Sequence, residues 1–157
     1  MKRVKIFSTI VNHFLEINFQ TKINYKMKSN PVVHFEMPYT DSARVQKFYS
    51  SAFGWEMQGT GPEMGDYVLA GTSETDENRM VKAPGTINGG FFKASDAPGA
   101  GTSVVISVDD IKAAMKNVTA AGGKIEGEPM EIPGIGHWVV FTDTEGNRVS
   151  ILQPSMK

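Results

Sequence analysis

The chain contains no cysteine. That absence excludes a disulfide framework, a thiolate metal site and a cysteine nucleophile. It fits a reducing cytosol, and a cytoplasmic location is expected. Histidine is scarce, with 3 in 157 residues, so a multi-histidine metal centre has little to draw on. An excess of either charge is missing too: 16 Lys and Arg against 17 Asp and Glu leave a net −1. Nothing in that balance points to nucleic acid or to an anionic membrane surface. No apolar run approaches the ~20 residues that span a bilayer. The stretch from Ile6 to Phe19 is broken by Asn12, His13 and Glu16, and no A-x-A cleavage site follows it, so it does not read as a signal peptide. The glycine-rich stretches contain no G-x-x-x-x-G-K-[ST] phosphate loop.

What is present suits one domain: 157 residues, 40% of them hydrophobic, can bury a real core. Composition changes near Met27. Residues 1–26 carry a net +4 and contain no Gly, Pro or Ala, whereas the remainder carries −5 and is rich in all three. Residues 1–29 are therefore expected to form a poorly ordered N-terminal extension, the alternative being an apolar helix or strand docked on the domain. His13 lies there and is given no role. The folded domain is expected over 30–157.

From Pro31 onward, strand and helix signals alternate. Val32 to Pro38 reads as a strand. Thr40 or Asp41 can cap a helix whose apolar positions, Val45, Phe48, Tyr49, Ala52 and Phe53, share one face. Gly54 ends it. Trp55–Thr60, Asp66–Gly71 and Thr86–Lys93 read as strands, with a polar loop from Ser73 to Pro84. The order then repeats. Thr102–Val108 is a strand, Asp109 or Asp110 caps a helix bearing Ile111, Ala114, Met115, Val118 and Ala121, and Gly122 and Gly123 stop it. Lys124–Glu128, His137–Thr142 and Arg148–Leu152 are strands. The interval from the capping acid Asp41 to its counterpart Asp110 is the same as that from Gly54 to Gly123. This shared register marks two repeats, 30–96 and 101–154. Each is strand, helix, then three strands. Neither is large enough to be stable alone. The fold class expected is α+β: two βαβββ repeats forming one curved, mostly antiparallel, cup-shaped sheet with a helix on the outer face of each half.

Asn30-Pro-Val-Val-His-Phe-Glu-Met-Pro38, Phe48-Tyr49, Phe53-Gly54-Trp55, Ile87-Asn-Gly-Gly90, Val108-Asp-Asp-Ile111 and Asp143-x-x-Gly146-Asn147 follow one another in an order that resembles the vicinal oxygen chelate superfamily. That superfamily joins glyoxalases, bleomycin resistance proteins and dioxygenases. The likeness covers about residues 30–154 and is nearest to uncharacterised glyoxalase-related bacterial proteins. Thr144 stands where the turn usually has Pro. The resemblance implies a metal site of four side chains, one from the first and last strand of each repeat. The first-strand position falls on His34, which matches. The repeat interval carries it to Ser103, and the last-strand position of the second repeat is Ser150; neither matches. The remaining position falls near Asn88 or Gly89. With His34 alone, the inherited metal site is degenerate and no cofactor is expected, though a divalent Zn, Ni, Mn or Fe ion stays open.

Strand alternation puts His34 and Glu36 on one face and Val33 and Phe35 on the other. If the latter face the helices, His34 and Glu36 face the cup. A carboxylate beside an imidazole can form an acid–base pair, hold a polar ligand, or simply organise the sheet. His137 and Trp138 in the penultimate strand can close the mouth of the cup, the alternatives being a solvent-side histidine and a core tryptophan. Ser103 and Ser150 are candidate pocket hydroxyls; neither lies on a G-x-S-x-G elbow, so neither reads as a nucleophile. Asn88 and Gly89 can mark a bulge, or bare backbone approaching a ligand. The 9 Met residues suit an apolar pocket or a packed core equally. The function expected is binding of a small apolar or aromatic molecule. The alternative is a metal-dependent lyase or isomerase related to glyoxalase I, with His34 as ligand and Glu36 as catalytic base. The partners expected are a small molecule and a second copy in a homodimer, with no nucleic acid and no membrane.

Overall fold

The computed structural model describes residues 29–77, 80–95 and 101–155. The expected N-terminal extension, up to residue 28, lies outside the described residues. Among the described residues, eight strands and two α-helices follow in order: β1 (Val32–Tyr39), α1 (Ser42–Phe53), β2 (Glu56–Gly59), β3 (Val68–Gly71), β4 (Asn88–Lys93), β5 (Ser103–Ser107), α2 (Ile111–Ala120), β6 (Lys124–Ile132), β7 (Gly136–Thr142) and β8 (Arg148–Pro154). A 3₁₀ turn, Pro62–Met64, joins β2 to β3.

The helices begin where their sequences prescribe. Asp41 accepts a hydrogen bond from the Arg44 N–H, and Asp110 from that of Ala113, so a short carboxylate satisfies one orphan donor at each start. Gly54 stops α1 in the left-handed region at φ 67°, which a side chain would disfavour.

The strands form one sheet in the order β2-β3-β4-β1-β5-β8-β7-β6. β1 and β5 pair antiparallel at its centre. Outward from them, β4 runs parallel to β1 and β8 parallel to β5, and the remaining pairs are antiparallel. The sheet is curved and open, with both helices on one face. The chain therefore has the α+β architecture of two βαβββ units joined edge to edge.

The two units bury matching positions. Tyr39, Val68 and Phe91 form the core under α1, and Val108, Val139 and Ile151 the core under α2. Tyr39 corresponds to Val108, Val68 to Val139 and Phe91 to Ile151. The interval is nearly constant for the first two pairs and shorter for the third. It changes because the loop between β3 and β4 is longer than that between β7 and β8. Beneath α1 the core is aromatic: Tyr49 stacks on Trp55 with centroids 4.7 Å apart, and Trp55 meets Phe35 at 5.6 Å. Such pairs add about 0.5–1.5 kcal/mol beyond the area they bury.

Candidate functional site

β1 lies at the middle of the sheet, and its alternation sorts its side chains. Phe35, Met37 and Tyr39 pack with the core beneath α1. His34 and Glu36 therefore lie on the opposite face, the one without helices. His34 is paired with Asn88 on β4 and Val105 on β5; Glu36 is paired with Gly90 and Ser103.

Two hydrogen bonds fix these side chains. His34 Nε2 lies 2.9 Å from the hydroxyl of Tyr67. The Ser150 hydroxyl donates to Glu36 Oε2 at 3.2 Å, linking the two repeats across the cup. Burial lowers the pKa of His34 to about 4, so the ring is neutral at pH 7. Burial raises that of Glu36, opposed by the Ser150 hydrogen bond and the charge of Arg148. Burial, and then the nearby charge of Glu36, push the Tyr67 phenol up, so it keeps its proton. Arg148 itself is engaged: its Nε donates to Glu126 Oε2 at 2.9 Å. Hydrogen bonds from Thr142 and then Arg148 hold Glu126 below the usual carboxylate range.

An apolar wall surrounds this polar floor. Leu69 is paired with Gly90, Phe92 with Pro38, Val140 with Ser150, and Trp138 with Leu152, so all of them share the face of His34 and Glu36. Leu69 is 43% exposed and so is open to a ligand.

The other residues named from the sequence are placed unevenly. Trp138 and Ser150 are on the cup face. Ser103 is also there, but its hydroxyl donates to the Arg148 carbonyl at 2.8 Å. Asn88 spends its side chain on the loop after β3, accepting from the N–H groups of Thr72 and Ser73 at 2.8 and 3.0 Å. Gly89 faces the helices: a Cβ there would collide with the Phe35 ring. His137 lies two residues before Val139, a core residue under α2, so it shares the helix-side face, where it is exposed. The structure does not bring it to His34 and Glu36.

Tyr67 is the site residue missed from the sequence. It lies in the stretch Asp66–Gly71, expected only to form a strand, and immediately precedes β3. The fourth inherited position also moves. Ser150 is paired with Val105, the repeat counterpart of Glu36, and Glu36 is paired with Gly90. The counterpart of Ser150 is therefore Gly90, not Asn88 or Gly89.

The four inherited positions are thus His34, Ser103, Ser150 and Gly90. Among the described residues, no three His, Cys, Asp or Glu side chains are placed to hold an ion. A site of the glyoxalase type needs three or four nitrogen or oxygen ligands. The residues present do not fit a divalent metal.

Comparisons with known proteins agree with this architecture. Residues 32–151 match the Glyoxalase/Bleomycin resistance protein/Dioxygenase superfamily. A glyoxylase-like domain-containing protein of Didymella fabae is 35% identical over 120 residues, covering 74% of this chain and 88% of that one. A putative glyoxylase of Mycobacterium bovis, CFP32, is 38% identical over 52 residues, 33% of this chain and 20% of its own length. Among solved structures, Streptomyces coelicolor methylmalonyl-CoA epimerase in complex with 2-nitronate-propionyl-CoA superposes with a TM-score of 0.62 at 12% identity, over 82% of this chain and all of the other. A hypothetical protein of Bacillus halodurans does so with a TM-score of 0.59 at 15% identity, over 83% and 98%. Among the described residues no helix is long and apolar enough to cross a membrane. By its duplicated sheet and by these matches, the chain belongs to the glyoxalase, bleomycin resistance protein and dioxygenase superfamily.

Proposed function

We propose that this chain binds a small apolar or aromatic molecule in the cup, without a complete metal site. One observation carries the reading. A polar floor of His34, Glu36, Tyr67 and Ser150 is ringed by Leu69, Phe92, Trp138, Val140 and Leu152. Sites of this make-up, mostly apolar with a few convergent polar groups, suit small ligands. In the cup, Trp138 would contact the ligand with His34 and Glu36, while the buried Ser150 would hold the Glu36 carboxylate and Ser103 and Asn88 the sheet and loop that shape the site.

Titration with Ni²⁺, Zn²⁺, Mn²⁺ and Fe²⁺ tests the absence of a metal site. No stoichiometric, tight binding is expected from the wild type, and His34→Ala should behave alike. One ion per chain, lost in His34→Ala, would overturn the reading.

The competing reading is a lyase or isomerase related to glyoxalase I, with Glu36 as base. It is favoured by the position of Glu36 on the cup face and by the fold likeness to an epimerase. Glu36→Gln should then abolish turnover while binding persists; under the first reading it changes affinity alone. Assembly as a homodimer in the cytoplasm belongs to the same proposal, and a purely monomeric sedimentation profile would remove the dimer from it.

A further inference from the structure

The counterpart of Ser150 in the first repeat is Gly90, and the space above Gly90 is filled. A Cβ at Gly90 would collide with the ring of Tyr67. The ring therefore lies over the glycine, beside Glu36, which is the sheet neighbour of Gly90. Its hydroxyl reaches His34 at 2.9 Å. The turn before it is held as well: Tyr39 donates to the carbonyl of Asp66, whose φ of 56° is unusual for a residue with a side chain.

We infer that Tyr67 stands in the cup in place of the missing fourth ligand, and that Tyr67 and Glu36 together select an uncharged head group that both accepts and donates hydrogen bonds, the carboxamide class, on an apolar body. This deepens the reading given above and rests on it. The argument is one of complementarity. In the neutral tautomer that carries its proton on Nε2, His34 donates to the phenol oxygen, and the phenol hydrogen is free to turn into the cup. Glu36 uses Oε2 for Ser150 and can accept a ligand N–H at Oε1. Among the described residues no buried side-chain polar atom lacks a partner, so Oε1 is not sealed away from the cup. A carboxylate or phosphate head would meet the Glu36 charge instead. Arg148 offsets that charge only in part, because Glu126 already holds its guanidinium. Like charges brought together out of water disfavour binding.

The test uses two probes of one shape, 2-naphthamide and 2-naphthoate, titrated at pH 8 into the full chain and followed by amide shifts in two-dimensional NMR. In the wild type, 2-naphthamide should shift amides of β1, β4 and β8 and bind at least tenfold more tightly than 2-naphthoate. Tyr67→Phe keeps the ring over Gly90 and should weaken 2-naphthamide about five- to tenfold, the worth of one hydrogen bond. Glu36→Gln should close most of the gap between the probes. An unchanged Tm for each variant separates these effects from unfolding. Equal binding of both probes by the wild type, or an unaffected Tyr67→Phe, overturns the inference and leaves the cup reading standing. If neither probe shifts cup amides, both fall together.

Discussion

At the scale of single residues, the most informative group is His34, because its environment works against its charge. Burial lowers its pKa to about 4 from 6.5. Between those values the unfolded chain binds a proton that the folded chain refuses, so stability must fall as the pH drops through that window. Glu36 runs the other way. Its pKa is raised by burial, so its contribution is full below its unfolded value and is lost as the pH rises. A comparison across a His34 variant isolates the histidine, since Glu36 is common to both chains. In urea unfolding, the wild type should lose more stability between pH 7 and pH 5 than His34→Gln. A difference of about 1–2 kcal/mol is expected after allowing for partial exposure. Equal losses would mean that His34 titrates normally and that the ring is open to water. The same scale shows what the sequence could carry. Alternation on β1 suffices to put His34 and Glu36 on the cup face. Gly90 and Tyr67 are legible only in three dimensions, because their meaning lies in the space that one leaves and the other fills.

At the scale of elements, the sequence is most transparent where local chemistry decides. The capping acids lie at the helix starts because a carboxylate one position ahead of a helix answers an N–H that nothing else answers. Asp41→Ala and Asp110→Ala should each cost about 1 kcal/mol. The two caps belong to different helices in different repeats and share no partner, so the double variant should cost their sum within about 0.5 kcal/mol. Thermal or urea unfolding of the three variants checks this, and a clear departure from additivity would mean that the helices are coupled through the sheet. Pairing between distant strands is less transparent. One constant interval carries the first strands and the helices from one repeat to the other, yet it fails at the last strand, where Phe91 and Ile151 lie closer together in the chain. The loop from β3 to β4 absorbs the difference, and a loop's length leaves no periodic signature. The constant interval would carry Ser150 back into that loop, whereas the sheet register puts its counterpart on Gly90, beyond the Asn88 or Gly89 expected from the sequence. His137 is a related case. Its strand was legible, but the face it presents depends on which of its neighbours the helix covers.

At the scale of the molecule, the question is what joins two units whose cores are separate. Each core is small: Tyr39, Val68, Ala70 and Phe91 on one side, Val108, Ile111, Val139 and Ile151 on the other. A four-stranded sheet with one helix and so few buried side chains is marginal by itself. The units meet through the antiparallel pairing of β1 with β5, and the Ser150 to Glu36 hydrogen bond crosses the same seam. The inner edge of either unit is therefore paired by the other, and separation would leave both edges open. A chain divided between residues 95 and 101 should yield fragments that lack stable structure separately and recover native circular dichroism when mixed. Recovery should depend on concentration, since the seam becomes an intermolecular one. The cup floor is split by the same cut, with His34, Glu36 and Tyr67 on one fragment and Ser150 on the other. Binding of 2-naphthamide should accordingly return only with the mixture. If one fragment folds and binds alone, the cup is the property of a single repeat and the duplication serves stability rather than the site.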